Sequence, residues 1–257
     1  MTINTACDEN AYRELCANVA AVEARIAAAC ERAGRPRESV KLVAASKLNS
    51  AERVALARRA GITAFGENRV QELCEKREQN AYVGAEVHLI GHLQRNKVKY
   101  VAGQVDLIES VDSPELLGAI NACCEKNGTR QDVLIELNLW DEESKTGLRR
   151  EMLEPLLEEC GRFSSVTVKG LMGIPPKSED PDKNRRYFAE MHHLFVDIQR
   201  KKYHNVTMAE LSMGMSADYG DAILAGATIV RVGTAIFGAR DYGTLGCLQE
   251  SDQTLRG

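Results

Sequence analysis

Eight short apolar or β-branched segments recur along the chain, each followed by a stretch of helical character: 41–46, 64–67, 86–92, 107–111, 132–139, 168–174, 209–215 and 229–238. This alternation predicts parallel strands joined by crossover helices, because a parallel connection must return along the sheet and a helix laid on its face does so. Eight such units are what close a parallel sheet on itself. The fold class is therefore read as α/β, a (β/α)8 TIM barrel, with a doubly wound open sheet as the structural alternative.

Punctuation between the segments agrees. Asn49 or Ser50 opens a helix over 51–60 with Gly61 as its stop, and Ser113-Pro114 opens 115–126 with Gly128 after it. Ahead of the first strand, Leu15, Val19, Val22, Ile26 and Cys30 recur at three- and four-residue steps, and Gly34 with Pro36 closes the run. That is an extra amphipathic helix over about 8–33. The length of 257 residues fits one barrel, and no Ser/Gly linker interrupts the chain. A single domain over 1–257 is expected, with the barrel at about 40–240 and a short C-terminal tail.

Charge and composition exclude several classes. The net charge is -4 with both signs intermixed, so nucleic acid is not an expected partner. Apolar runs fall well short of the roughly 20 residues that span a bilayer, and no membrane association is expected. Residues 1–10 carry two acids and no base, the reverse of a secretory or transit signal, which reads as cytoplasmic. Cysteines at 7, 16, 30, 74, 123, 124, 160 and 247 form no CxxC pair, and His192 and His193 are adjacent, so no metal site is expected. A monomer is expected.

Function in a parallel barrel gathers at the C-terminal ends of the strands. The first segment ends Val43-Ala44-Ala45-Ser46-Lys47, which places a lysine where an apolar strand meets the barrel mouth. An amine losing hydration there has a lowered pKa and attacks a carbonyl more readily; the ordinary alternative is a solvated lysine opening a loop. The seventh segment ends Ser212-Met213-Gly214-Met215-Ser216, with Ser216 as the expected N-cap of a helix over 217–224. The eighth carries Arg231 and then Gly233-Thr234, where backbone and hydroxyl can approach an anion. The loops after strands seven and eight form the common phosphate site of such barrels, although Asp218 and Asp221 add nearby negative charge. Glu67 and Glu136 suggest a carboxylate pair, but the sequence does not fix their separation.

Several motifs occur in order along nearly the whole chain. They are Ala45-Ser46-Lys47, Phe65-Gly66-Glu67-Asn68 with Val70-Gln71-Glu72, Ile90-Gly91-His92-Leu93-Gln94 with Asn96-Lys97, and Glu143-Ser144-Lys145. Lys169-Gly170-Leu171-Met172, Leu211-Ser212-Met213-Gly214-Met215-Ser216 and Val230-Arg231-Val232-Gly233-Thr234-Ala235-Ile236-Phe237-Gly238 continue the series. With these the chain resembles the pyridoxal phosphate homeostasis protein family, also described as alanine racemase N-terminal-domain-like or proline-synthase co-transcribed. The usual pattern has Trp before and Phe after the histidine of strand three, where this chain has Val87-His88-Leu89.

The resemblance implies a fold-type III barrel holding pyridoxal 5′-phosphate as an internal aldimine on Lys47. It implies that Ser216, Gly233 and Thr234 hold the phosphate, that Arg231 approaches the pyridine nitrogen, and that Asn68 and His92 lie near the ring. Lys145 is a candidate second cofactor lysine. The implied role is storage and delivery of the cofactor, with effects on amino-acid and keto-acid balance and with cofactor-dependent apo-enzymes as partners. No catalytic residue is assigned. A guanidinium beside the ring nitrogen makes the ring a weaker electron sink, and the tail 241–257 is too short for the second domain that racemases of this fold add. The alternatives are an amino-acid racemase or a Schiff-base aldolase.

Overall fold

In a computed structural model, residues 5–140, 146–176, 178 and 180–238 are described. Eight strands, β1 (Lys41–Ala45), β2 (Ala64–Glu67), β3 (Glu86–Leu89), β4 (Leu107–Val111), β5 (Gln131–Leu137), β6 (Val166–Gly173), β7 (Val206–Met215) and β8 (Ile229–Val232), pair in sequence order. Every pairing is parallel, and β1 closes on β8 through Lys41–Ile229 to Ala44–Val232. The closed barrel is the expected fold, and the open-sheet alternative is set aside.

Helices α1 (Thr5–Arg32), α2 (Ala51–Arg59), α3 (Val70–Glu78), α4 (Pro114–Asn127), α5 (Arg150–Glu159), α6 (Pro181–Arg200), α7 (Tyr219–Leu224) and α8 (Thr234–Phe237) follow in order. The crossover from β3 to β4 is a 3-10 helix, Arg95–Tyr100. Ser50 and Ser113 cap α2 and α4 through their hydroxyls, and Gly128 ends α4 in the left-handed conformation.

Period-two alternation explains the two cores. On β1, Leu42 and Ala44 join the shell packed under the helices, while Val43 points into the barrel. There it meets Ala64, Leu107, Leu134, Met172 and Ile229. Burial on both faces is why these strands read as nearly unbroken apolar runs. The buried stripe Leu15, Val19, Val22, Ile26 and Cys30 packs α1 beside α2, α7 and α8. At about 1.5–3 kcal/mol for each large aliphatic side chain buried, that stripe is enough to hold the helix to the barrel.

Several strands end before the expected residue, the third and the eighth by the widest margin. The segment 86–92 leaves the sheet after Leu89, because Gly91 lies against the Asn68 backbone, where an added Cβ would stand 2.3 Å from the Asn68 carbonyl oxygen. The segment 229–238 is a four-residue strand followed by a turn: Gly233 adopts φ -112 and ψ -75, and α8 begins at Thr234. A third irregularity is a bulge in β6, whose register against both neighbours shifts between Val168 and Gly170. Among the described residues, no helix is long and apolar enough to cross a membrane.

Candidate functional site

The C-terminal ends of β1, β7 and β8 meet at one side of the mouth. Lys47 lies two residues beyond β1 and is half-buried. Beside it, Gly233 approaches β1 so closely that an added Cβ would lie 3.2 Å from the carbonyl oxygen of Ala45. Ser216 does not cap the helix that follows it, contrary to the expectation from sequence. That helix starts later, at Tyr219, with Asp218 in the N-cap position and no side-chain cap bond. The Ser216 hydroxyl instead reaches across to β8, where it accepts from the backbone N–H of Gly233 at 3.1 Å and of Ala235 at 3.5 Å. Two amide donors and a hydroxyl are thus gathered at one point, with exposed Thr234 between the donors. Asp218 turns its carboxylate to the Met215 N–H at 2.6 Å.

Below the mouth, Arg231 is 4% exposed and occupies the barrel interior. Its guanidinium donates to the Ser212 hydroxyl and to the Gly173 carbonyl at 3.2 Å, and it lies 3.7 Å from Glu109. The Ser212 hydroxyl passes its own hydrogen to Glu109 Oε2 at 2.5 Å. On the other oxygen of Glu109, the ring Nδ1 of His88 donates at 2.6 Å, and His88 Nε2 lies 3.4 Å from Glu86, which pairs with Lys41. Charges therefore alternate in sign along the barrel from Lys41 to Arg231. Burial of His88 would lower its pKa, but hydrogen bonds to Glu109 and Glu86 and the charge of Glu109 outweigh that and push it up to about 9. Burial also acts to raise Glu109, yet His88 and Arg231 hold it below the usual carboxylate range. Burial draws Arg231 down, opposed by Glu109, Glu136 and Asp218.

Asn68 follows β2, the strand paired with β1 on its other side, with its Oδ1 buried and without a hydrogen-bond partner among the described residues. His92 stands at the rim, half-exposed, with Nδ1 3.2 Å from Asp112. Glu136 accepts from the Thr146 hydroxyl at 3.1 Å through one oxygen; its other oxygen is buried without a partner among the described residues. Burial raises its pKa, with Asp112 adding to the rise and Arg231 and His92 opposing it. Glu67 and Glu136 form no pair: Glu67 binds Ser46, Lys76 and Tyr82 in the layer between the strands and α3. Glu143, Ser144 and Lys145 lie outside the described residues.

Sequence reasoning passed over His88, Glu109, Ser212 as a charge partner, and Lys76. A faint signal existed for the first two, since each is a polar residue two positions from another inward-facing residue of a buried strand, Glu86 and Leu107. Lys76 had the signal of its spacing, four residues after Glu72 on α3.

Comparison with known proteins follows the same outline. The family profile described as Alanine racemase, N-terminal domain, matches residues 17–241. The pyridoxal phosphate homeostasis protein of Aquifex aeolicus is 45% identical over 227 residues, 88% of this chain and 99% of that protein. The structure of PipY from Synechococcus elongatus with PLP bound is 30% identical, with a TM-score of 0.76 over 87% of this chain and 100% of that one. An alanine racemase from Bartonella henselae shares the fold alone, at 16% identity and a TM-score of 0.67, covering 89% of this chain and 61% of the racemase.

Proposed function

Since the chain belongs to the pyridoxal phosphate homeostasis protein family, built on the alanine racemase N-terminal domain, we propose that it binds pyridoxal 5′-phosphate through Lys47 and holds it for delivery to other proteins. The observation that carries this reading is the convergence on Ser216: its hydroxyl and the two backbone N–H groups that now donate to it stand beside the end of the first strand, donors that a phosphate dianion entering there would draw to itself. Buried acceptors at Asn68 and Glu136, without partners among the described residues, supply polar groups to which a substituted pyridine can bond. In a relative of the same architecture the cofactor is present, and relatives are named for its homeostasis.

When bound, the cofactor supplies an aldehyde carbon for a lysine amine and a ring able to withdraw electrons. The residues of this chain work chiefly on holding it. Ser216 fixes the direction of the Gly233 and Ala235 amides, and Gly233 gives the backbone its close approach. Arg231, kept charged by Glu109, opposes protonation of a ring nitrogen placed beside it, so the ring stabilises carbanions poorly. This supports a carrier over a racemase; an aldolase that uses the lysine without a cofactor is separated by its lack of colour. Lys145 enters only through its motif, as a second amine that could take part in handing the cofactor on, and apo-enzymes are the proposed recipients.

The test is the visible spectrum of the purified chain followed by borohydride reduction and peptide mass mapping. A yellow protein whose reduced cofactor mass sits on Lys47 is the expected result. A colourless chain after incubation with the cofactor, or a label confined to another lysine, overturns the reading.

A further inference from the structure

Lys47 is flanked by two peptide groups, and both are tied to the outside of the barrel by one buried cluster. On its N-terminal side, the Ser46 carbonyl accepts from Lys76 Nζ at 2.8 Å, and the Ser46 hydroxyl donates to Glu67 Oε1 at 2.6 Å. On its C-terminal side, the Leu48 N–H donates to Glu72 Oε1 at 2.5 Å. Lys76 joins the two halves, donating to Glu67 Oε1 at 2.8 Å and to Glu72 Oε1 at 2.6 Å, so each of its three N–H groups has an acceptor. The Tyr82 hydroxyl adds a third donor to Glu67 Oε1 at 2.8 Å.

Lys76 is 4% exposed and Glu67 fully buried, so water does not compete for these bonds. The cluster also braces an unusual backbone. Leu48 sits at φ +64, a left-handed conformation that a residue with a Cβ enters only when its surroundings require it, and its side chain is 44% exposed. Packing of the leucine cannot impose that angle; the turn closed by the Asn49 N–H on the Ser46 carbonyl at 3.1 Å places Leu48 there, and the bond from its own N–H to Glu72 holds the turn in place.

We propose that Lys76, acting with Glu72, is the positioning residue for Lys47, fixing the backbone on both sides of it and hence the direction from which its amine meets a carbonyl carbon held at the mouth. A long flexible side chain rooted on a loose turn would sample many directions, whereas one rooted on a fixed pair of peptides starts near the reacting geometry. The inference rests on the reading that Lys47 carries the cofactor. It also assigns work to Glu67, Glu72 and Lys76 in the outer layer, away from the ligand.

The experiment uses the full chain and three substitutions: Lys76→Met, Glu72→Ala, and Leu156→Ala in α5 as a stability control remote from β1. Borohydride mapping on the unaltered chain comes first. A label on a lysine other than Lys47 overturns the proposed function and this inference with it. With Lys47 labelled, the clamp variants are expected to exchange the Leu48 amide hydrogen at least tenfold faster in the cofactor-free chain and to release cofactor about tenfold faster. Leu156→Ala is expected to lower Tm with neither rate changed. Should Lys76→Met fail to fold, Glu72→Ala, whose carboxylate is partly solvent-exposed, decides alone. Cofactor release at the unaltered rate in the folded clamp variants, or acceleration of the same size in Leu156→Ala, overturns the positioning role and leaves the proposed function standing.

Discussion

His88 and Glu109, on adjacent strands β3 and β4, are joined inside the barrel by a 2.6 Å hydrogen bond, with side chains 1% and 0% exposed. A buried imidazole would ordinarily be neutral, yet here it sits between two carboxylates and its pKa rises to about 9. A histidine whose pKa is raised in the folded state contributes stability that is complete below its unfolded value, near 6.5, and is lost as pH rises through about 9. Chemical denaturation from pH 6 to pH 10 should therefore show a decline over that window, worth about 3 kcal/mol at most. In His88→Gln the decline should disappear, from a lower starting stability. Parallel curves for the two proteins would show that His88 is not charged in the fold.

Arg231 closes the same chain of charges. Replacing it by Gln leaves Glu109 buried with one cationic neighbour fewer, and breaking such a pair typically costs about 3–5 kcal/mol. Ser212→Ala, which removes only the hydroxyl between them, should cost about 1 kcal/mol. Charge reversal to Glu would set two buried carboxylates together and is expected to prevent folding. Urea titration of the Gln and Ala variants checks the order; equal losses would mean that the hydroxyl, and not the ion pair, carries the interaction.

Gly233 is a test of backbone approach. A Cβ there stands 3.2 Å from the Ala45 carbonyl, so Ala should be accommodated by a shift of a few tenths of an ångström. Val should push the turn from β1 and displace the N–H groups of Gly233 and Ala235. Fluorescence titration with pyridoxal 5′-phosphate is expected to give near-normal affinity for Gly233→Ala and at least tenfold weaker binding for Gly233→Val, with unchanged circular dichroism. Equal affinity in all three would remove Gly233 from the site.

Gly170 is held by packing alone. At the β6 bulge its missing side chain leaves room for β7, since a Cβ would fall 1.7 Å from the carbonyl oxygen of Glu210. The neighbour is backbone and cannot rotate away. Gly170→Ala should destabilise the chain by about 3 kcal/mol or more, in the range of severe single substitutions, and thermal unfolding measures it. An unchanged Tm would refute the bulge.

Much of this architecture was legible in the sequence because its causes are local. The count of apolar segments, the serines ahead of α2 and α4, Gly128 after α4 and the stripe from Leu15 to Cys30 each act within a few residues, and all appear in the fold. The eighth segment is shorter than its sequence suggests because Ala235, Ile236 and Phe237 resume an apolar run beyond Gly233-Thr234, while its strand stops where pairing with β1 ends at Val232. That limit is set by the neighbouring strand.

The sequence by itself determined that strands and helices alternate eight times, that a lysine closely follows the first strand, and that serine, arginine and glycine lie at or just beyond the ends of the last two. Tertiary structure alone decided how those ends are used, because hydrogen bonds and ion pairs depend on distances between residues far apart in the chain. Ser216 had the sequence of a helix cap, yet closure of β8 beside β7 offered it the amides of Gly233 and Ala235. Glu67 and Glu136 look like a carboxylate pair in the sequence. The two-residue period of their strands turned one toward α3 and Lys76, the other toward the interior, and only barrel closure gave those directions their neighbours.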